Sequence, residues 1–215
     1  FLVVDTNTPH ALAHNGFATR RAASESCAKA LGLTYLRDAL PEDLSCAHHD
    51  EREAKEWRLE LVDSSVNRSL TALEEREGPA TFPRGWVRHA FHDMTLVGRA
   101  SYLLKHADEL GYRAFEEAGR IFTESFISMR DELRVSRPEI DAAVEACLEH
   151  GALGARIVGG GFGGAVMALV KTSRLEETAQ AIAQAYAEHG YAEPRFLPMV
   201  AGFPADCDWL SENFR

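Results

Sequence analysis

Five glycines, Gly159, Gly160, Gly161, Gly163 and Gly164, surround Phe162, with the apolar segments ARIV before them and AVMALV after them. Glycine has no Cβ, so such a turn reaches positive φ and lets backbone N–H groups approach a bound anion closely. The chemistry this would serve is a cradle beside a phosphate. A flexible hairpin loop is the other reading, and composition alone does not separate the two, although a tight hairpin needs no more than one or two glycines. Gly159, Gly161 and Gly164 also satisfy G-x-G-x-x-G. A dinucleotide fingerprint must be followed by a helix whose N-terminus faces the pyrophosphate, whereas AVMALV reads as a strand, and the absence of a G-K-[ST] ending excludes a Walker A loop. Arg156 and the glycine run break the small apolar stretch 151–170 as a membrane span.

Other polar clusters say less. His48, His49 and Asp50, or His89 and His92, bring potential metal ligands together, but adjacent histidines point apart and no third ligand is spaced to close a site. They are expected to be solvated, and no metal site is expected in the chain. The acids of DEREAKEWRLE alternate with bases and read as the solvated face of a helix. No local Ser/His/Asp or Cys/His arrangement pairs a nucleophile with a base, so no catalytic residue is expected here.

The elements that must position the glycine turn follow from periodicity and punctuation. Residues 1–4, FLVV, form a strand ended by Asp5, Thr6, Asn7 and Pro9. Phe17 to Leu31 is Ala-rich with interleaved charge and is followed by Gly32, which reads as a helix with a left-handed cap. Pro41, Glu42 and Asp43 start a further helix, and Asp50 to Arg76 alternates acids and bases at helical spacing. Gly78, Pro79, Pro83 and Gly85 make a loop; Trp86 to Leu110 and Tyr112 to Arg130 are amphipathic helices broken at Gly111. Ser136, as a hydroxyl cap, with Pro138 and Glu139 starts a helix that runs to about His150. Then come strand ARIV, the glycine turn, strand AVMALV, a helix from Leu175 to His189 and strand RFLPMV. Strands at both ends with helices between predict an α+β fold, a mostly antiparallel sheet covered by helices, with FLVV joining the C-terminal strands.

Gross composition is compatible with this. A chain of 215 residues, 46% hydrophobic and 26% charged, can bury a proper core. Its formal charge of −10 opposes non-specific binding to nucleic acid or to an anionic membrane, so neither is expected as a partner. An anionic nucleotide is not excluded, because backbone N–H groups and a metal ion override the global field locally. Cys27, Cys46, Cys147 and Cys207 lie far apart without a C-x-x-C pair, which reads as reduced thiols of a cytoplasmic protein. The opening shows no initiating Met, no basic n-region and no small-residue cleavage site, and an apolar strand without a lead-in is expected where a chain starts inside a larger protein.

Four stretches carry a family resemblance over nearly the whole chain. DTNTPHALAHNGFATRR follows the pattern D-T-x-x-x-H-x-L-x-x-x-x-Y-x-x-R-R through Asp5, Thr6, His10, Leu12, Phe17, Arg20 and Arg21. ESFISMRDELRVSRPEID follows E-S-H-x-S-L-R-D and V-S-C-P-E-L-D through Glu124, Ser128, Arg130, Asp131, Val135, Ser136, Pro138, Glu139 and Asp141. RHAFHD follows R-H-x-x-x-E with Asp93 at the acidic position, and GALGARIVGGGFGGAVMALV has the form of a third superfamily motif. Together they resemble the C-terminal part of galactokinases, in the GHMP superfamily that also holds homoserine, mevalonate and phosphomevalonate kinases.

The resemblance implies a GHMP kinase C-terminal domain over residues 1–215, a ferredoxin-like core with extra helices, packed on an N-terminal domain. It implies that Gly159 to Gly164 line the cleft near the transferred phosphate and the sugar. The implied reaction is transfer of the ATP γ-phosphate, with Mg2+, to the anomeric hydroxyl of galactose or a related hexose. Phe17 takes the place of a Tyr whose hydroxyl helps hold the sugar, a lost hydrogen bond of about 1 kcal/mol. Phe126 stands where His is usual, Leu133 where Tyr is usual and Arg137 where Cys is usual, and the charged stretch 45–78 reads as a surface elaboration. The family's sugar-binding Arg and G-E-H, its loop P-x-x-x-G-L-S-S-S and its base Asp all belong upstream of FLVV. The chain alone is therefore expected to be inactive. The alternatives are a non-catalytic sensor of sugar and ATP, or a kinase for another hexose such as N-acetylgalactosamine.

Overall fold

The computed structural model describes residues 1–9, 16–30, 32–39 and 84–200, with residues 71 and 202 singly. The helix start at Pro41, the charged helix from Asp50 to Arg76 apart from Thr71, the loop residues Gly78, Pro79 and Pro83, and His48 and His49 lie outside the described residues. The elements are β1 (Leu2–Asp5), α1 (Gly16–Ala30), α2 (Arg84–Lys105), α3 (Ala107–Leu110), α4 (Tyr112–Asp131), α5 (Pro138–Glu149), β2 (Ala152–Val158), β3 (Ala165–Val170), α6 (Leu175–His189) and β4 (Arg195–Pro198), with short 3-10 turns at Leu36–Ala39 and Thr172–Arg174.

All four strands pair antiparallel in the order β2-β3-β1-β4. With helices between β1 and β2 and α6 between β3 and β4, this is the split β-α-β or ferredoxin-like arrangement. The expected union of the first strand with the C-terminal ones is met: β1 sits between β3 and β4, with Val4 opposite Val166 and Phe196.

Alternation along the strands decides which face is buried. Leu2 and Val4 of β1, Ala155 and Ile157 of β2, and Val166, Ala168 and Val170 of β3 join one core with Ile140, Val144 and Cys147 of α5 and Ile182 and Tyr186 of α6. Strand residues two apart share a face, so these positions form one apolar surface for the helices to cover. The Tyr186 hydroxyl donates to the Glu139 carbonyl at 2.5 Å, tying α6 to the start of α5. A smaller cluster of Leu96, Leu103 and Ile121 joins α2 to α4. Burial pushes the Cys27 thiol up to about 11 and that of Cys147 to about 12, so both stay protonated.

Besides β2, which begins three residues before ARIV, and β4, which stops at Pro198, three boundaries differ from expectation for a local reason. Gly85 is not in a loop: it lies in the first turn of α2, packed so closely on Glu132 that a Cβ would come within 3.1 Å of the Glu132 carbonyl oxygen. The helix expected up to Leu110 breaks at His106 as well as at Gly111, because the His106 ring nitrogen Nδ1 bonds back to the Tyr102 carbonyl at 2.9 Å. Ser136 does not cap α5. The N-cap is Arg137, in extended conformation with no side-chain bond, while the Ser136 hydroxyl donates to Asp141 at 2.5 Å. Pro138 at the first position and acids Glu139 and Asp141 in the first turn suffice to start the helix. Among the described residues, no helix is long and apolar enough to cross a membrane.

Candidate functional site

Val158 faces Ala165 across the β2–β3 hairpin, so residues 159–164 form the connection. Four of its glycines, Gly159, Gly161, Gly163 and Gly164, have φ of 82°, 76°, 129° and 87°, and Phe162, a residue with a Cβ, has φ of 62°. This is no loose hairpin. The Phe162 N–H donates to the Val135 carbonyl at 2.7 Å, the Gly164 N–H to the Thr8 carbonyl at 3.2 Å, and the Gly164 carbonyl accepts from both the N–H and hydroxyl of Thr6 at 2.9 and 2.6 Å. A Cβ on Gly161 would sit 2.6 Å from the Val135 carbonyl oxygen, and one on Gly163 2.7 Å from that of Pro9. Gly161 and Gly163 are buried; Gly159 and Gly160 are exposed. Glycine is thus required at two positions by the backbone packed against them, which leaves Gly159 and Gly160 as the face free to meet a bound group.

That exposed face opens on a cavity of about 310 Å3, lined also by Arg20, Trp86, His89, Asp93 and Arg156. Phe17 is the second residue of α1, its side chain outside the described residues. Its neighbour Gly16 touches the turn directly: a Cβ there would lie 2.7 Å from Cζ of Phe162. The start of α1 and the glycine turn are therefore in contact. His10 and Leu12 lie outside the described residues.

Polar side chains between α2 and α4 form a network under the cavity. His89 Nδ1 and the Ser128 hydroxyl share a hydrogen bond of 2.9 Å, the Ser125 hydroxyl donates to Asp93 at 2.5 Å, and Arg156 of β2 lies 3.9 Å from Asp93. His92 pairs with Glu124 at 2.8 Å, and Arg99 donates to the same carboxylate at 3.3 Å. The bond from His92, with the charge of Arg99, holds the Glu124 carboxyl below its ordinary range. The expectation that His89 is solvated is wrong: it is 8% exposed, because the face of α2 that carries it packs on α4.

Burial pushes the His89 imidazole below its ordinary pKa of 6.5, against the pull of Asp93 and with the help of His92 and Arg156. The folded state thus binds fewer protons than the unfolded state in that region. Stability contributed by neutral His89 is full above pH 6.5 and is lost as pH falls below it. Thermal unfolding followed from pH 8 to pH 5 is expected to show this loss in the wild type and a flatter profile in His89→Gln; equal slopes would contradict it.

Phe126, another departure from the family pattern, is a core residue, 2% exposed, with the Arg130 guanidinium 5.5 Å from its ring centroid. Residues absent from the site read off the sequence are Trp86, and Val135, whose carbonyl holds the turn, and Arg20, the last two known there only as motif positions. Nothing in a single sequence links residues 20, 86, 135 and 162; only the folded chain brings them together.

Residues 88–192 match the family model described as GHMP kinases C terminal. Galactokinase of Streptomyces coelicolor is 33% identical over 199 residues, which are 93% of this chain and 43% of that protein. Galactokinase of Mycobacterium tuberculosis is 32% identical over 193 residues, 90% of this chain and 44% of that one, and the Bos taurus galactokinase is 32% identical over 192 residues, 89% and 40%. The solved structure of Lactococcus lactis galactokinase complexed with galactose superposes with a TM-score of 0.67, at 23% identity, over 91% of this chain and 43% of its own, which bears out the fold. The chain spans less than half the length of these relatives. Residues 88–192 thus form a GHMP kinase C-terminal domain, and over nearly its whole length the chain is similar to part of the galactokinases.

Proposed function

We propose that this chain is the C-terminal domain of a sugar kinase that transfers the ATP γ-phosphate to the anomeric hydroxyl of galactose. The observation that carries the reading is the contact between the glycine turn and the start of α1, Phe162 against Gly16. The resemblance assigns the turn to the transferred phosphate and the next residue, Phe17, to the sugar. An in-line transfer demands that these two groups be held in fixed relation, because positioning and charge stabilisation provide most of the catalysis.

In this reading the upstream half brings the nucleotide loop, the sugar-binding Arg and the base Asp, and the reaction runs in the cytoplasm. The same reading assigns the Mg2+ ligands to that half as well. Bound MgATP would supply the phosphoryl group and its charge neutralisation. The chain's own part is to present Gly159 and Gly160 at fixed height above the cavity and to keep the turn from moving.

An assay coupled to ADP formation tests this. The 215-residue chain with MgATP and galactose is expected to read background, and the protein extended through its upstream half is expected to form ADP in proportion to galactose. Galactose-dependent ADP from the chain alone would refute the division of labour. A long protein that binds galactose and ATP without forming ADP would instead be a sensor, and one that prefers N-acetylgalactosamine over galactose would move the acceptor.

A further inference from the structure

Arg20 and Arg21 are neighbours on α1 with opposite fates. Arg21 is exposed, its side chain at 72%, and pairs with Glu25 one helical turn away at 2.9 Å. Arg20 turns inward. Its Nε donates to the Leu133 carbonyl at 2.7 Å, one terminal nitrogen to the Arg134 carbonyl at 2.8 Å and the other to the Gly16 carbonyl at 2.9 Å. Its guanidinium carbon lies 4.6 Å from the Trp86 ring centroid and 4.8 Å from that of Phe162, within cation–π reach of both.

The carbonyls it reaches belong to the link between α4 and α5. That link leaves the helix with the Leu133 N–H on the Ser128 carbonyl and the Val135 N–H on that of Met129, and Arg134 has φ of 57°. Its next carbonyl, on Val135, accepts the N–H of Phe162, itself at φ of 62°. One side chain thus bridges two non-glycine residues in left-handed conformation, one by a hydrogen bond to its carbonyl and one through its ring. Such conformations persist only where the surroundings over-determine them. The same side chain also caps a carbonyl at the start of α1, the element that carries Phe17.

We propose that Arg20 is a positioning residue for phosphoryl transfer: a clamp that fixes the glycine turn against the start of α1 without touching either substrate. The proposal rests on the kinase reading above. A planar fork with fixed donors is what the three carbonyls and two rings require, so lysine, a single point of charge on a flexible stem, does not replace it.

Two measurements on R20K test it, with R21Q beside it. In hydrogen exchange on the 215-residue chain, the Phe162 amide of R20K is expected to lose protection by about tenfold or more while the core amides of Val166 and Ala168 change by less than about threefold, and R21Q is expected to match the wild type. In the protein extended through its upstream half, R20K is expected to lower kcat by about 100-fold with KM for the sugar changed less than about threefold, the signature of lost alignment rather than lost binding. Unchanged Phe162 protection in R20K overturns the clamp, and a loosened turn with wild-type kcat overturns its role in the reaction. Should R20K unfold the chain, Phe162→Leu removes the ring face and leaves the three hydrogen bonds, and it must then lower kcat in the same way or the proposal falls. A wild-type long protein that forms no ADP with any hexose removes the reaction and the positioning role with it; wild-type turnover is therefore measured first, so that this failure is told apart from a failure of the clamp.

Discussion

Alanine at Gly154 is expected to destabilise the chain by about 4 kcal/mol or more, beyond the usual range for a single substitution, and to leave little folded protein. Gly154 of β2 and Gly119 of α4 meet backbone to backbone. A Cβ on Gly154 would overlap the Gly119 carbonyl group and lie 2.6 Å from its Cα, and a Cβ on Gly119 would overlap the Leu153 carbonyl and lie 2.7 Å from the Leu153 Cβ. What it meets is backbone, so no rotamer change relieves it. Helix propensity pulls the other way for Gly119→Ala, but by only about 1 kcal/mol, whereas forcing atoms into a packed interior costs about 1 to 3 kcal/mol even where side chains can shift. The clash wins. Gly154 also sits where the β2–β3 register shifts, so strand and helix cannot both yield there. Thermal unfolding of both variants is the check; a midpoint within about 3 °C of the wild type, the change expected for about 1 kcal/mol in a chain of this size, would contradict the account.

The second large effect falls on activity. Gly161→Ala in the full-length kinase is expected to lower kcat by about 100-fold, because a shift of about 1 Å in a positioning element costs that much. Two penalties act together. A residue with a Cβ in the left-handed region costs about 1 to 2 kcal/mol, and at Gly161 the new Cβ would also lie 2.6 Å from the Val135 carbonyl oxygen that receives the Phe162 N–H. The turn must move off Val135 to admit it. Gly190→Ala, at the end of α6 and outside the turn, is the control: its φ is 70°, but nothing lies within 4 Å of the new Cβ, so only the backbone penalty applies. Steady-state kinetics of both variants decide it; Gly161→Ala losing no more kcat than Gly190→Ala would show that the contact with Val135 does not set the turn.

Those two glycine sites differ in how far a sequence reveals them. The turn was visible because five glycines between two apolar strands exceed what a hairpin needs, and β3 and α6 occur at the residues that periodicity marks. That FLVV joins the C-terminal strands was legible because it is a short apolar run ended by turn residues, whereas the ferredoxin-like core came only with the family resemblance. Gly119 and Gly154 carried no such signal: an isolated glycine in a helix and another in a strand become informative only when their backbones are seen to meet. Arg20 and Arg21 are chemically identical in the sequence, and which of them turns inward is decided by a helix phase that the weakly amphipathic α1 does not declare. His89 looked solvated because histidine spacing does not reveal which face of α2 packs on α4. The Ser136 cap failed because a nearby Asp141 competes for the hydroxyl.

The central claim is that the turn serves transfer of a phosphoryl group to an anomeric oxygen, and the product shows this most directly. The full-length protein, given galactose and MgATP, is to be followed by phosphorus NMR. The account predicts a new phosphate ester whose phosphorus couples to the anomeric proton of the sugar, formed in step with loss of the γ-phosphate signal. An unchanged γ-phosphate, or an ester at any other carbon, would contradict it.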